Sequence, residues 1–234
     1  YDGTFHGPVQ MRFALGNSYN LPAVKQLALN GIESMIATAS AMGIKGWEDP
    51  SQYGLSLTLG GGEVRMVDMA VAFGSFANGG VKVPLNPILK VENYQGSTLE
   101  EIDIEEVSEL TSSQRLTWEQ FKANTPDPES EKPVAVLPEE VAYIISHILL
   151  DNNARQSAFG PSSQLVVPGQ TVSVKTGTTN DLRDNWTIGF TPNLLVSTWV
   201  GNNDNTPMSY VASGVTGASP IWNDITSYAL EGKK

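Results

Sequence analysis

Apolar residues return at helical spacing through the first third of the chain. Leu21, Val24, Leu27 and Ala28 fall on one helical face, and Asn30-Gly31 supplies the stop. A second short helix is expected from Ile32 to Met42, ended by Gly43. Glu63 to Ala77 reads as a longer one: Val64, Val67, Ala70 and Val71 share a face, Phe73 and Phe76 follow, and Asn78-Gly79-Gly80 terminates it. Val83 to Tyr94 alternates loosely, as an edge strand would. Pro138 sits in the first turn of another helix through Leu150, where its missing N–H leaves nothing unsatisfied. Val141, Ile144, Ile145 and Ile148 form the expected buried stripe of that helix, with His147 beside it as a packed core or boundary residue.

The last third changes period. Thr171 to Lys175 alternates with Val172 and Val174 inward, and Asn185 to Phe190 and Leu194 to Gly201 are two further strand-like runs. The connections Thr178–Arg183 and Thr191-Pro192-Asn193 are too short for a crossover, so both pairs must be antiparallel. Pro220 to Leu230 reads as a closing helix, with Ile221, Trp222, Ile225 and Tyr228 at helical spacing. Helices flanking an antiparallel meander make an α+β fold, an antiparallel β-sheet with covered faces.

Charge singles out the middle. The net charge is −11, and between Tyr94 and Pro133 ten Asp or Glu stand against three Lys or Arg, leaving −7 there. With Gln95-Gly96-Ser97 and Thr125-Pro126-Asp127-Pro128 inside it, segment 94–133 reads as an acidic, solvated insertion, mostly loop, with one short helix around Leu116–Lys122. The acidic balance argues against nucleic acid as a partner, since phosphate binding relies on clustered Lys and Arg. With 40% hydrophobic and 17% charged residues, the 234-residue chain can bury a sizeable core in one large domain. No run approaches the roughly 18 apolar residues of a membrane span, and the opening Tyr1-Asp2-Gly3 is not a signal peptide. There is no cysteine, and the two histidines, His6 and His147, are too few and too far apart for a histidine-rich metal site; no cofactor is expected.

Candidate chemistry lies in two short segments. Ser18-Tyr19-Asn20 precedes the helix from Leu21, and Lys175-Thr176-Gly177-Thr178-Thr179 ends a strand. Each has an ordinary explanation. Ser18 or Asn20 would serve as a helix N-cap whether or not any reaction took place. A Lys-Thr-Gly triplet can be a strand end with turn chemistry.

Taken together, with the strings Asn20-Leu21-Pro22-Ala23-Val24-Lys25, Tyr53 to Gly61, Phe76-Ala77-Asn78-Gly79-Gly80, Arg183-Asp184-Asn185-Trp186 and Trp199 to Asp204, the sequence resembles the bifunctional, class A penicillin-binding proteins over nearly its whole length. Segment 94–133 is the part least covered. The resemblance implies a transpeptidase (penicillin-binding) domain that cross-links peptidoglycan by serine acyl transfer. Its partners would be stem peptides ending in D-Ala-D-Ala and β-lactam antibiotics, and its location extracytoplasmic. It also implies roles. Lys175 would hold the substrate's terminal carboxylate and bias proton transfers, and Thr176 and Thr178 would donate to the same carboxylate. Gly177 would let an extended peptide lie against the strand. The Thr178 N–H would form half of an oxyanion hole, its partner being the nucleophile's own N–H. Ser18 would relay a proton to the leaving amine, Asn20 would donate to the substrate's amide carbonyl, and Tyr19 would form wall.

One part of the family pattern is missing. The family's Ser-x-x-Lys motif, whose serine is acylated, comes before Ser-x-Asn, and no serine here has lysine three positions later. The resemblance therefore implies that the nucleophile, a glycosyltransferase domain and a membrane anchor lie upstream in a parent protein. Residues 1–234 are then a transpeptidase domain short of its nucleophile segment, expected to be inactive alone. Two alternatives are a serine β-lactamase or β-lactam sensor of the same fold, and a peptide-binding module without chemistry.

Overall fold

The structure is a computed structural model that describes residues 6–124, 127, 130–208 and 216–233, with Asn180 described in its backbone alone. Tyr1-Asp2-Gly3 and most of the Thr125–Pro128 string lie outside the described residues. Helices α1 (Met11–Gly16), α2 (Asn20–Asn30), α3 (Ile32–Ala41) and α4 (Met66–Ala77) come first, with two 3-10 turns between α3 and α4. Strands β1 (Val81–Lys82), β2 (Lys90–Glu92) and β3 (Thr98–Glu101) follow, then α5 (Ile104–Ser113), α6 (Trp118–Lys122) and β4 (Val134–Ala135). Helices α7 (Glu139–Leu149) and α8 (Gln156–Phe159) lead into β5 (Ser173–Thr178), β6 (Asp184–Thr191) and β7 (Leu194–Gly201), and α9 (Ala218–Leu230) closes the chain.

The three-stranded antiparallel sheet β5-β6-β7 organises the molecule. Side chains alternate across it, and the two faces meet different helices. Asn185, Thr187 and Gly189 of β6 face α9: Asn185 Oδ1 accepts from the Ala218 N–H at 2.7 Å, and Thr187 and Ser219 share a hydrogen bond of 2.8 Å. A Cβ on Gly189 would lie 2.3 Å from Trp222 Cζ2, so only glycine lets that indole lie flat on the strand. Trp222 is fully buried with Leu165, Val172, Val174, Val196 and Leu230. The opposite face carries Phe190, whose ring meets Phe73 of α4 edge-on at 6.4 Å. Through the register Val174↔Gly189 and Lys175↔Ile188, Lys175 falls on this second face. A second apolar cluster joins Met42, Ile44, Ala72 and Val136, and a third joins Leu27, Ile36 and Leu57.

The expected α+β class and both antiparallel connections are found. Three expectations are corrected. The Val83–Tyr94 strand is broken: only β1 and β2 are regular at its margins, because Pro84 and Pro87 each remove a ladder donor between them. Segment 94–133 holds more order than one short helix. It contains β3, paired with β2 across the Asn93–Gly96 turn, and α5, whose N-cap Asp103 accepts from the Glu105 and Glu106 N–H groups. The buried stripes of two helices are displaced. Ala142, Ile148 and Leu149 are buried on α7, while Ile144 and His147 are exposed; on α9 the stripe is Trp222, Thr226 and Leu230, with Ile221, Ile225 and Tyr228 outside. Contact with the sheet, which Gly189 brings close to α9, decides the face where spacing allows two.

Candidate active site

Helix α1 ends in a turn that the sequence does not announce. Ser18 adopts φ 56°, a left-handed conformation uncommon for a residue with a Cβ, while the Ser18 N–H donates to Leu15 O at 3.2 Å and the Tyr19 N–H to Ala14 O at 2.9 Å. This reversal turns the Ser18 hydroxyl away from the helix that follows. The N-cap position of α2 is Tyr19, and no side chain caps that helix. Ser18 Oγ instead accepts a hydrogen bond from Lys175 Nζ, across 157 positions of sequence.

Lys175 is half-buried on β5, and its ammonium also donates to the Thr176 carbonyl at 2.6 Å. Burial pushes its pKa down from 10.5 to about 8, and the Arg155 guanidinium nearby adds to the fall. The amine therefore exchanges its proton close to neutral pH.

Strand β5 lies at the edge of its sheet. The Thr179 N–H donates inward to Asp184 O at 3.2 Å, whereas the carbonyls of Val174 and Thr176 accept from side chains outside the sheet. Antiparallel alternation therefore directs the backbone of Val174, Thr176 and Thr178 to the outer edge, the Thr178 N–H included. The motif's side chains do not all converge. Lys175 and Gly177 share one face; Thr176 and Thr178 share the other with Val174. Thr178 Oγ1 accepts from Asn185 Nδ2 at 2.7 Å, and the same amide donates to Gly177 O at 3.2 Å. Asn20 opens α2 with its side chain exposed, and the Tyr19 ring stacks on His6 with centroids 4.5 Å apart.

Sequence reasoning missed two residues here. Asn17 is buried: Nδ2 donates to Phe13 O at 2.9 Å and Ala154 O at 2.7 Å, and Oδ1 accepts from the Ala158 N–H at 2.9 Å. Arg155 is buried beside the outer edge of β5, donating from Nη1 to Val174 O at 3.1 Å and from Nε to Asn152 Oδ1 at 3.0 Å. Neither stands in a periodic pattern or a motif. Among the described residues no cluster of His, Asp or Glu could hold a metal ion.

The fold that brings Lys175 to Ser18 at a sheet edge has solved counterparts. The fold matches penicillin-binding protein 1A from Haemophilus influenzae with a TM-score of 0.72 at 24% identity, over 99% of this chain and 36% of that one. It matches the penicillin-binding protein PonA1 from Mycobacterium tuberculosis with a TM-score of 0.75 at 21% identity, over 99% of this chain and 59% of that one. At these identities the likeness is one of fold, and the fold is the one that those penicillin-binding proteins share. In sequence, the chain is 30% identical over 234 residues to penicillin-binding protein 1A of Neisseria meningitidis serogroup A, and 30% identical over 224 residues to that of Aquifex aeolicus. These matches cover 100% and 96% of the chain but only 26% of each relative, so the chain spans about a quarter of their length. No protein-family model matches. Over its whole length the chain is thus similar to part of the penicillin-binding protein 1A sequences, and its fold to that of the solved penicillin-binding proteins.

Proposed function

We propose that this chain is the part of a peptidoglycan D,D-transpeptidase domain that supplies the proton relay and the substrate-binding strand. The observation that carries the reading is the hydrogen bond from Lys175 to Ser18, joining the two motif segments, with an amine that titrates at about 8. A nucleophilic serine from a Ser-x-x-Lys segment, which these 234 residues do not contain, would attack the amide carbonyl of a stem peptide ending in D-Ala-D-Ala and pass its own proton to that segment's lysine. As the C–N bond breaks, Ser18 gives its hydroxyl proton to the departing amine and takes one from the Lys175 ammonium, so the relay creates no alkoxide. An acceptor amine then displaces the serine ester, its proton returning through Ser18 to Lys175 while the Ser-x-x-Lys lysine reprotonates the released serine.

The sheet edge supports the rest. An extended peptide can add to β5 as a further strand, alongside Gly177, where no side chain intervenes. The outward Thr178 N–H is suited to one oxyanion contact. By face, Lys175 is the better placed of the motif side chains for the substrate carboxylate, with Thr176 and Thr178 acting from the strand's other side. β-Lactams would occupy the same edge, consistent with a structure of PonA1 in complex with penicillin V. The parent would be membrane-anchored and extracytoplasmic, with a glycosyltransferase domain upstream; no helix of the described residues is long and apolar enough to cross a membrane.

The test is release of D-alanine from a stem peptide by the parent protein that contains a Ser-x-x-Lys segment. Lys175→Ala and Ser18→Ala are each expected to slow release while leaving the fold intact. Release at the parent rate by both variants would refute the assignment.

A further inference from the structure

Ser18 and Lys175 come from distant segments, so something must set their separation. The connection runs through residues outside both motifs. Asn17, immediately before Ser18, has both side-chain polar atoms bonded to protein, and two of its three hydrogen bonds go to Ala154 and Ala158. It ties the backbone of residues 154–158 to the turn that aims Ser18. That segment carries Arg155, whose Nη1 donates to Val174 O, the carbonyl immediately before Lys175. Asp151 holds the segment from its other end, accepting from the Ala154 N–H at 3.0 Å and from Arg12 of α1 at 3.0 Å. Helix α1 is thus pinned to the 151–158 segment twice, and that segment is pinned to β5.

Arg155 is an expensive choice for bracing one carbonyl. Its side chain is buried and its Nη2 has no hydrogen-bond partner among the described residues, a costly state for a charged group. Any neutral donor would hold Val174 O without it. What only a cation supplies is charge. Burial lowers Arg155 to about 10, still above Lys175, so when the two repel, Lys175 is the one that yields its proton.

We infer that Asn17 and Arg155 are positioning residues for the Ser18–Lys175 pair: Asn17 by fastening residues 154–158 to the Ser18 turn, Arg155 by bracing the Val174 carbonyl and setting a fixed positive charge behind Lys175. This rests on reading Ser18 and Lys175 as the relay. Among the described residues Arg155 is the charged group that acts on Lys175, and Asp151, paired with Arg12, acts in turn on Arg155; His147 of α7 is exposed, and Asp184 of β6 accepts from Trp199 Nε1 at 3.3 Å.

The network can be read in the 234-residue chain itself, by NMR titration of the lysine side chains with Lys175 assigned through Lys175→Arg. In the unsubstituted chain Lys175 should titrate at about 8, with the Ser18 Cβ resonance following it. Arg155→Met should raise the Lys175 midpoint while leaving it below 10.5, since burial remains. Arg155→Lys, which restores a charge without the fork, should return it most of the way. Asn17→Ala should leave the circular dichroism spectrum intact and uncouple Ser18 from the Lys175 titration. A purely structural role would lower Tm in all three variants and move neither signal, and that result overturns the inference. Should Arg155→Met not fold, Asn152→Ala, which releases the Nε anchor, must broaden or shift the Lys175 titration, and failure to do so counts equally against it. None of these signals depends on acylation. A shifted titration together with undiminished D-alanine release by Lys175→Ala would therefore sink the relay and spare the network.

Discussion

The Lys175 ammonium donates to the Ser18 hydroxyl, and that contact takes Ser18 out of the role its sequence position most simply suggests. A serine just before a helix is ordinarily a cap. Here the helix begins at Asn20 behind an uncapped Tyr19, and Ser18 sits in a left-handed turn that points it elsewhere. Two explanations that residue order leaves open are thereby separated by one torsion angle and one hydrogen bond.

In a parent that contains the Ser-x-x-Lys segment, Lys175→Ala should slow acylation by penicillin about ten- to a hundredfold, because a charge-assisted contact contributes roughly 1.5–3 kcal/mol. Thr178→Val should lose less, since the backbone N–H remains. Stopped-flow acylation rates decide this: a Lys175→Ala rate within a factor of about two of the parent, well under the 1.4 kcal/mol of a tenfold change, refutes the assignment.

Lys175 also gives stability a pH dependence of known sign. Its pKa falls from 10.5 unfolded to about 8 folded, so between those values the unfolded chain binds more protons, and stability from this group rises with pH. Below about 8 both states are protonated and the cost of burying the ammonium is felt in full. Thermal melts of the chain and of Lys175→Met, compared across that window, should show the unsubstituted chain gaining on the variant. Parallel curves would mean that the amine is not buried as a cation.

Much of this fold is legible in the residues. Asn30-Gly31 ends a helix as expected, and short connections force β5, β6 and β7 antiparallel. What periodicity cannot supply is the choice between adjacent stripes. Ile221, Ile225 and Tyr228 satisfy a helical repeat as well as Trp222, Thr226 and Leu230 do, and a glycine on another element, Gly189, settles which is buried. The site divides in the same way. Ser18 and Lys175, the proposed relay, stand in motifs, so type and spacing single them out as candidates. Asn17 and Arg155 act through carbonyls and amides of distant segments, and a backbone acceptor has no sequence signature.

Asn185 should prove one of the least replaceable polar residues. It is fully buried, donates to Gly177 O and Thr178 Oγ1, and accepts from the Ala218 N–H at the start of α9. Asn185→Ala strands that N–H and empties the space beside Thr178, so a loss of about 2–3 kcal/mol is expected from the unsatisfied group and the lost bonds. Urea denaturation measures it; Asn185→Asp keeps the acceptor and should lose less at a pH where the carboxyl is protonated.

Gly189→Ala tests the sheet's contact with α9. A Cβ placed 2.3 Å from Trp222 Cζ2 must move a fully buried indole, and overpacking of this kind costs roughly 1–3 kcal/mol. Reduced Tm with a changed tryptophan emission is the expected result, whereas unchanged emission would mean that the indole does not lie against the strand.

Incubated alone with a fluorescent penicillin, the 234-residue chain should form no stable covalent adduct. A serine hydroxyl is a weak nucleophile at neutral pH, and acylation needs a neighbouring base together with donors aimed at the developing oxyanion. The only Ser-x-x-Lys pair that could provide both is absent from the sequence. Among the described residues Ser18 is the candidate to replace it, because an amine already touches its hydroxyl. At pH 7 that amine is mostly protonated, given its pKa of about 8, and a cation that donates to Ser18 cannot also take its proton. The experiment should therefore be repeated at about pH 9, where a neutral Lys175 gives Ser18 its best chance as a nucleophile. Even there the left-handed turn holds the hydroxyl against the lysine, with no second oxyanion donor from its own segment. Adding a peptide that carries the Ser-x-x-Lys segment, or joining it to the chain, should restore labelling at that new serine. Mass spectrometry locates any adduct, and penicillin found on Ser18 of the isolated chain at either pH would make Ser18 a nucleophile in its own right and end its assignment as a relay.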